Sequence, residues 1–291
     1  MKMAKNKKMW KKAIGVFLGI PLLLFIIITL VITFKKDAIV QELLATANQD
    51  FKGKIALSGT TISPFENFPY ISIDLKDFQV FETKELNEKP IINLKDVYVG
   101  FDLWTIIRGK FDIKTIKLAN GKINITQYQD NTFNLVKAFE PVKEVEDLEE
   151  EFHIDLQKIK IKNVDILKTN LADTLTLEAF IDKAETRFKK DEAYIKMGLD
   201  ATFVFNIIKD KDTTFVKNKH FDVATDFSFH KETHVLDFEP STVKLENGLF
   251  GMEGSIDIDD DFNMDLEFSG KKPNFDLLIA FAPDDLIPTL E

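Results

Sequence analysis

From Phe51 onward, apolar and polar residues alternate with a period of two. Ile71, Ile73 and Leu75 alternate with Ser72, Asp74 and Lys76; Val97, Val99, Phe101 and Leu103 alternate with Tyr98, Gly100 and Asp102. The longest run is Ile195, Met197, Leu199, Ala201, Phe203, Phe205 and Ile207. Phe221, Val223, Thr225, Phe227 and Phe229 follow, then Ile256 and Ile258, then Phe262, Met264, Leu266 and Phe268. One greasy and one polar face on strand after strand predicts a mainly β protein built on an antiparallel sheet. Helices are few: Asp37 to about Asn48, with Asp37 as N-cap, then short stretches at Phe101–Ile107, Thr132–Phe139 and Pro273–Phe281.

The strands also repeat. Ile73-Asp74-Leu75-Lys76-Asp77-Phe78-Gln79-Val80 is echoed by Ile92-Asn93-Leu94-Lys95-Asp96-Val97-Tyr98-Val99 and by Ile154-Asp155-Leu156-Gln157-Lys158-Ile159-Lys160-Ile161. Ile113–Leu118 and Leu175–Ala179 are weaker copies, so units begin at 73, 92, 113, 154 and 175. A period near 20 with one unit missed suits a strand pair and its turns. In the three clear copies the apolar phase shifts by one residue at the polar pair, which predicts a bulge or bend that curls the sheet.

Ala13–Phe34 is a different kind of segment. Its residues are uncharged, and at ~1.5 Å rise they span ~33 Å, the thickness of a hydrocarbon core. Residues 1–36 hold eight Lys and no acid, while the remainder carries 30 basic and 48 acidic residues, a net of -18. A basic head on an acidic body predicts a cytoplasmic tail at 1–12, a transmembrane helix at 13–34, a juxtamembrane helix at 35–50 and an external domain at 51–291. The apolar run exceeds the ~7–15 residues of a signal-peptide core, and the nearest A-x-A, Ala45-Thr46-Ala47, lies past a Lys pair, so the anchor is expected to remain uncleaved. Within 141–151, Glu144, Glu146, Asp147, Glu149, Glu150 and Glu151 repel one another and predict a solvated loop. The repeat continues on both sides of it, so one elongated sheet is expected rather than two domains.

Composition narrows the chemistry. There is no Cys, which excludes disulfides, thiolate metal sites and cysteine nucleophiles. Arg108 and Arg187 are the only guanidinium groups, which argues against nucleic-acid partners that rely on bidentate Arg. His230-Lys231-Glu232-Thr233-His234 has two His four apart, but its Glu is displaced from the zinc-protease position and a hairpin turn is the better reading. Asp257, Asp259 and Asp261 mimic a calcium loop whose Gly and Glu positions are held by Phe262 and Phe268, so Asp259-Asp260-Asp261 reads as another turn. Gly248, Gly251 and Gly254 lie between strand patterns with no Lys-Ser/Thr after them, which favours close strand packing over phosphate binding. Asn124-Ile125-Thr126 is a glycosylation sequon, relevant in a host that glycosylates secreted protein. No catalytic residue, metal or cofactor is expected.

Several blocks carry a family resemblance. Val97-Tyr98-Val99-Gly100-Phe101-Asp102-Leu103-Trp104-Thr105-Ile106-Ile107-Arg108-Gly109-Lys110 follows the basic terminus and span. Then come Ile113–Leu118, Asn120–Ile125 and Asp130-Asn131-Thr132-Phe133-Asn134-Leu135. Together these resemble the amino-terminal region of the AsmA-like proteins of Gram-negative envelopes. Leu249–Ile258 with Ser269-Gly270 and Phe275–Leu278 is similar to that family's recurring hairpin-then-helix unit. The resemblance implies a chorein-like β-groove and an inner-membrane, single-pass protein with its bulk in the periplasm. It also implies a role in conducting phospholipid between the membranes, with the inner membrane and outer-membrane or periplasmic proteins as partners. Groove-lining candidates are Ile71, Ile73, Leu75, Val97, Val99, Phe101, Ile195, Met197, Leu199, Phe203, Phe205, Phe227, Phe229, Ile256, Ile258, Met264, Leu266 and Phe268. An acyl chain of about 16 methylenes loses ~0.8 kcal/mol per methylene on entering water, a barrier on the order of 13 kcal/mol that an apolar trough removes. If about 14 strands stack at ~4.8 Å, the sheet runs ~65 Å.

Alternation alone fits two other architectures. A closed sandwich with a free edge would suit a bitopic scaffold that recruits envelope proteins by strand addition. A polar cleft with two facing carboxylates would suit an enzyme such as a glycan hydrolase. An open apolar surface is what lipid requires.

Overall fold

The computed structural model of the chain describes residues 26, 30, 33, 34, 37, 40, 41, 44–67, 70–85, 89–102, 105, 108, 112–142, 154–210, 212, 213, 216–257, 263–271, 279, 280 and 282. The strands are β1 (Lys54–Ala56), β2 (Gly59–Asn67), β3 (Tyr70–Phe81), β4 (Ile92–Phe101), β5 (Ile113–Gln127), β6 (Ile154–Asn170), β7 (Leu175–Lys190), β8 (Tyr194–Lys209), β9 (Asp212–Thr213), β10 (Lys219–His230), β11 (Val235–Leu245), β12 (Gly248–Asp257) and β13 (Asn263–Gly270). They form a single 13-stranded sheet in the order β1-β3-β4-β5-β6-β7-β8-β10-β11-β12-β13, with β2 on β3 and β9 on β8. Residues 44–50 are helical, and a short helix α1 spans Asn134–Phe139.

The sheet is open. Substantial contacts between elements join hydrogen-bonded neighbours, apart from β2 with β4 and α1 with β5. No second sheet covers the first among the described residues, so the closed-sandwich alternative is not the architecture seen. Pairing is antiparallel with one exception: β5 and β6 run parallel, Ile113 opposite Ile154 and Gln127 opposite Asn170. The alternation could not reveal this, because side chains point to the two faces with period two in either arrangement. The connection through α1 carries the chain back to the starting end, as a parallel pair demands.

The repeat has a different meaning from the one expected. Positions 73, 92, 113, 154 and 175 each fall in one long strand, so the period of about 20 is one strand plus its connection rather than a hairpin. The wider step from 113 to 154 holds the β5–β6 crossover, not a missing unit. Eleven strands lie on the main path. At ~4.8 Å each they extend about 48 Å, shorter than the ~65 Å expected.

The phase shifts are real and aligned. Lys76 pairs with Asp96 and Phe78 with Leu94, passing over Asp77 and Lys95. Asp96 pairs with Ala119 and Leu94 with Gly121, passing over Asn120. Ala119 then pairs with Lys162 and Gly121 with Val164, passing over Asn163, and the row ends in a bulge at Asp182 between β7 and β8. Asp77, Asn120 and Asn163 have φ of 48°, 57° and 52°, a left-handed conformation that short Asx side chains tolerate best among residues with a Cβ. Asn163 also donates Nδ2 to Asn120 Oδ1 at 3.3 Å. In the third repeat copy the expected shift at Gln157-Lys158 matches a register irregularity beside Ile113 and Thr115; the Asn163 step was not read from the sequence.

Several expectations fall on residues outside those described: the 1–12 tail, most of 13–34, the acidic run 144–151, most of Phe101–Ile107 and Pro273–Phe281, and Asp259–Asp261. Of the apolar span, Ile26, Leu30, Thr33 and Phe34 are described, and they are helical and exposed. Among the described residues no helix is long and apolar enough to cross a membrane. The short helix expected at Thr132–Phe139 is α1.

The close approach of strands beside the phase-shift row gives a stability test. A Cβ at Gly121 would lie 2.1 Å from the Asn93 carbonyl oxygen, whereas one at Gly59 meets nothing within 4 Å. Gly121→Ala is expected to lower unfolding free energy by about 1–3 kcal/mol and Gly59→Ala to leave it within ~0.5 kcal/mol, both read from urea denaturation midpoints.

Candidate functional site

The register assembles one continuous apolar face. A first row of partners runs Leu75–Val97–Leu118–Ile161–Ala184–Ala201–Val223–Val243–Phe250. A second, beyond the phase shift, runs Phe78–Leu94–Gly121–Val164–Ile181–Phe203–Phe221–Leu245–Gly248. Ile71, Ile73, Val99 and Phe101 share the face on β3 and β4; Ile195, Met197, Leu199 and Phe205 share it on β8, with Phe227 and Phe229 on β10. At the far edge Ile256 pairs with Met264, Gly254 with Leu266 and Met252 with Phe268. Ile258 lies outside the described residues. Strict alternation missed Phe78, Leu94, Val164, Ile181 and Phe188 as members of this face. Allowing the phase to slip at each Asp or Asn would have found most of them.

Burial divides the face. Val40, Ile71, Ile73 and Phe101 form one packed cluster, with Leu44, Leu57 and Ile62 against it. Leu94, Val97, Ile123 and Val164 form a second, and Val80, Ile91 and Ala138 a third with Leu135 and Ile55. All three lie within β1–β6 and the two helical segments. Four of the groove candidates, Ile71, Ile73, Val97 and Phe101, are therefore closed core rather than reachable surface. From β7 to β13 most of the face is half-buried. There the rings pack on each other: Phe203 stacks on Phe221 at 5.1 Å and Phe227 on Phe238 at 5.3 Å. Phe268, on the last strand, is 59% exposed.

The other face is polar, and its most buried feature is an ion cluster on β3 and β4. Lys76 Nζ contacts Asp74 Oδ2 and sits 2.5 Å from Asp96 Oδ1. Thr61 donates to Asp74 and Asn120 to Asp96, each at 3.4 Å. Asp74 is 1% exposed and its Oδ1 has no partner. Burial pushes the Asp74 carboxyl up despite the ammonium. Asp96 is also desolvated, but the hydrogen bonds from Lys76 and Asn120 outweigh that and hold it below the ordinary range. Hydrogen bonds to Asp74 and then Asp96 raise Lys76 above the usual lysine range. The ammonium fills the space between the carboxylates and ties β3 to β4.

A hollow also opens on the polar face. It holds about 720 Å³ and is lined by Lys117, Lys160, Lys162, Lys183 and Lys244 together with Glu185, Asp200 and Asp222. Four of these eight charges sit in ion pairs: Lys117 with Glu66, Lys160 at 3.9 Å and Lys158 at 2.6 Å from Glu185, and Arg187 at 2.7 Å from Asp200. It is a salt-laced surface over the middle strands.

The remaining motifs resolve structurally. His230 and His234 flank a hairpin turn between β10 and β11; His230 Nε2 meets Asp237 at 2.6 Å and His234 stacks on Phe229. Among the described residues no three His, Cys, Asp or Glu are grouped so as to hold a metal ion. Gly254 has φ 133°, and a Cβ there would lie 2.0 Å from the Asp265 carbonyl oxygen, so this glycine serves close strand approach.

No protein-family model matches the chain, and no curated protein matches its sequence.

The ion cluster makes a pH-dependent prediction. With Asp96 lowered, its contribution to stability is present above the unfolded carboxyl value and is lost as pH falls through its folded value; Asp74, raised, contributes in the opposite sense. Lys76→Met leaves two adjacent buried carboxylates without a cation, so both are pushed up and their contribution is lost as pH rises. The variant is expected to be destabilised by about 3 kcal/mol at pH 7 and to recover much of that below pH ~4. Urea midpoints at the two pH values check this; an equal loss at both would refute the assignment.

Proposed function

We propose that this chain is a membrane-anchored lipid carrier of a bacterial envelope, which holds phospholipid acyl chains on the apolar face of its sheet and so supports outer-membrane assembly and lipid homeostasis. The carrying observation is the continuous apolar face across the main path of the sheet, half-exposed from β7 onward and without a second layer among the described residues. Monomers rarely leave contiguous apolar patches larger than a few hundred Å² open to water, so such a face implies an occupant. The resemblance to AsmA-like proteins supports the same reading, with a groove formed by curling of the sheet along its phase-shift row.

Ala13–Phe34 supplies the anchor, with the Lys-rich tail in the cytoplasm and the acidic body in the periplasm. A reporter fused after Glu291 is expected to be active outside the cytoplasm only, and the purified protein to retain Met1 or Lys2. Amino-terminal sequencing that starts after Ala47 would remove the anchor from the proposal.

One observation favours a second reading, a scaffold that recruits envelope proteins by strand addition. Among the described residues β13 pairs on one side alone, with β12, and carries the exposed Phe268. Leu199→Asp separates the two. Leu199 is half-buried on β8 between Thr186 and Thr225. In a carrier, the charge enters a surface that meets lipid: the protein folds, a photoreactive residue at 203 loses its lipid adducts, and the envelope becomes permeable. In a scaffold, lipid contact and permeability stay as in the parent. Native mass spectrometry of detergent-purified protein is expected to show bound phospholipid in the parent.

A further inference from the structure

We infer that lipid occupies only the β7–β13 part of the apolar face, entering and leaving past β13, while the β1–β6 part is a sealed floor that no lipid crosses. This rests on the carrier reading and changes what is carried out: the sheet becomes a side-loaded holder rather than a through-running conduit.

Two observations separate the parts. In the first, Leu94 and Val164 are 0% exposed, and helical residues Val40 and Leu44 on one side and Leu135 and Ala138 on the other pack onto the strands. A methylene chain has no room there without displacing packed core, which costs several kcal/mol. Beyond β6 the described residues form no comparable cluster: Ile181, Val243 and Leu245 are buried and Ala280 and Ala282 lie against Gly248 and Lys219, but Phe268 on the outermost strand is 59% exposed. The route into the face therefore lies on the β13 side.

The occupant follows from size and from hydrogen bonding. Six strands on the main path, β7 to β13, give five spacings of ~4.8 Å, about 24 Å. An acyl chain spans half of a ~30 Å hydrocarbon core, about 15 Å, and fits across them. Two polar side chains on this part of the face are spent within the fold: Lys219 Nζ donates to the Ala282 carbonyl at 2.8 Å and Ser241 Oγ to the Met252 carbonyl at 3.1 Å. A peptide backbone laid on the face would lose its water partners and gain few others, whereas a methylene chain has none to lose.

The test places one photoreactive residue at a time in the full chain, at 199, 227 or 268 in the open part and at 118 or 161 in the sealed part. The latter two are half-buried on the same face, so the substitutions do not strike the fully buried core. After incubation with vesicles of a labelled dipalmitoyl phospholipid, lipid adducts are expected at 199, 227 and 268, and about tenfold fewer at 118 and 161. Phe268→Asp, at an exposed edge, is expected to lower the adducts at 199 by a similar factor. Adducts at 118 and 161 equal to those at 199 would overturn the sealed floor and leave the carrier reading standing. Undiminished adducts at 199 in Phe268→Asp would overturn entry past β13. No adducts at any position would overturn the carrier reading itself.

Discussion

The phase of each strand from β3 to β7 must slip by one residue along a single row, and the rest of the molecule depends on that agreement. A strand with strict alternation placed beside one that slips would present polar residues where its neighbour presents apolar ones. Asp77, Lys95, Asn120, Asn163 and Asp182 lie at the same level on five adjacent strands, β3 to β7, so these five change phase together. The apolar face then continues without a seam. β8 carries no such residue, and the difference is absorbed once, as the bulge at Asp182. A second bulge at Glu239 and Pro240 performs the same service between β10, β11 and β12, where Pro240 lacks the N–H that a regular ladder would use.

The two faces meet this constraint differently. On the apolar side the slip is bridged by packing: Leu75 and Phe78 flank it on β3 and both reach the cluster around Leu94. On the polar side it is bridged by charge. Lys76 comes just before the slip and holds carboxylates on its own strand and on β4, and Asn120 links the row to Asp96. Removing a polar partner there is therefore a larger perturbation than removing a surface ion pair such as Lys122 with Asp165, which is half-exposed at 3.5 Å.

Much of this was legible in the sequence. The alternation from Ile195 to Ile207 is β8 on one face, and the polar pairs Lys76-Asp77 and Lys95-Asp96 mark the slip where it occurs. Other features were hidden for physical reasons. Parallel and antiparallel strands have the same side-chain period, so the β5–β6 pair left no trace in it. Ile73 and Leu199 have the same pattern around them, yet the first is core and the second half-open. What separates them is the helical segment bearing Val40 and Leu44, and nothing in a strand's own sequence says which other segment will settle on it. The period near 20 was visible, but whether a unit is one long strand or a hairpin depends on how many residues pair before the chain turns, which is set by neighbours.

An open apolar face has a thermodynamic consequence for its own edges. Each half-exposed Phe from β7 to β13 leaves part of its ~25 cal/mol per Å² of burial unrealised, so stability there rests on backbone ladders, cross-strand ring pairs and the polar network behind them. Such a surface favours association as readily as ligand binding, and unrestrained it would drive copies together. Asp265 and Glu267 alternate with Leu266 and Phe268 on β13, so two copies meeting edge to edge would set carboxylates against carboxylates across the new pair. The acidic body, net -18 outside its first 36 residues, opposes the same encounter at longer range. Charge at the edge and on the polar face thus leaves the apolar face open to a small neutral chain of methylenes while discouraging a second sheet, which is the discrimination the proposed carrier role would require.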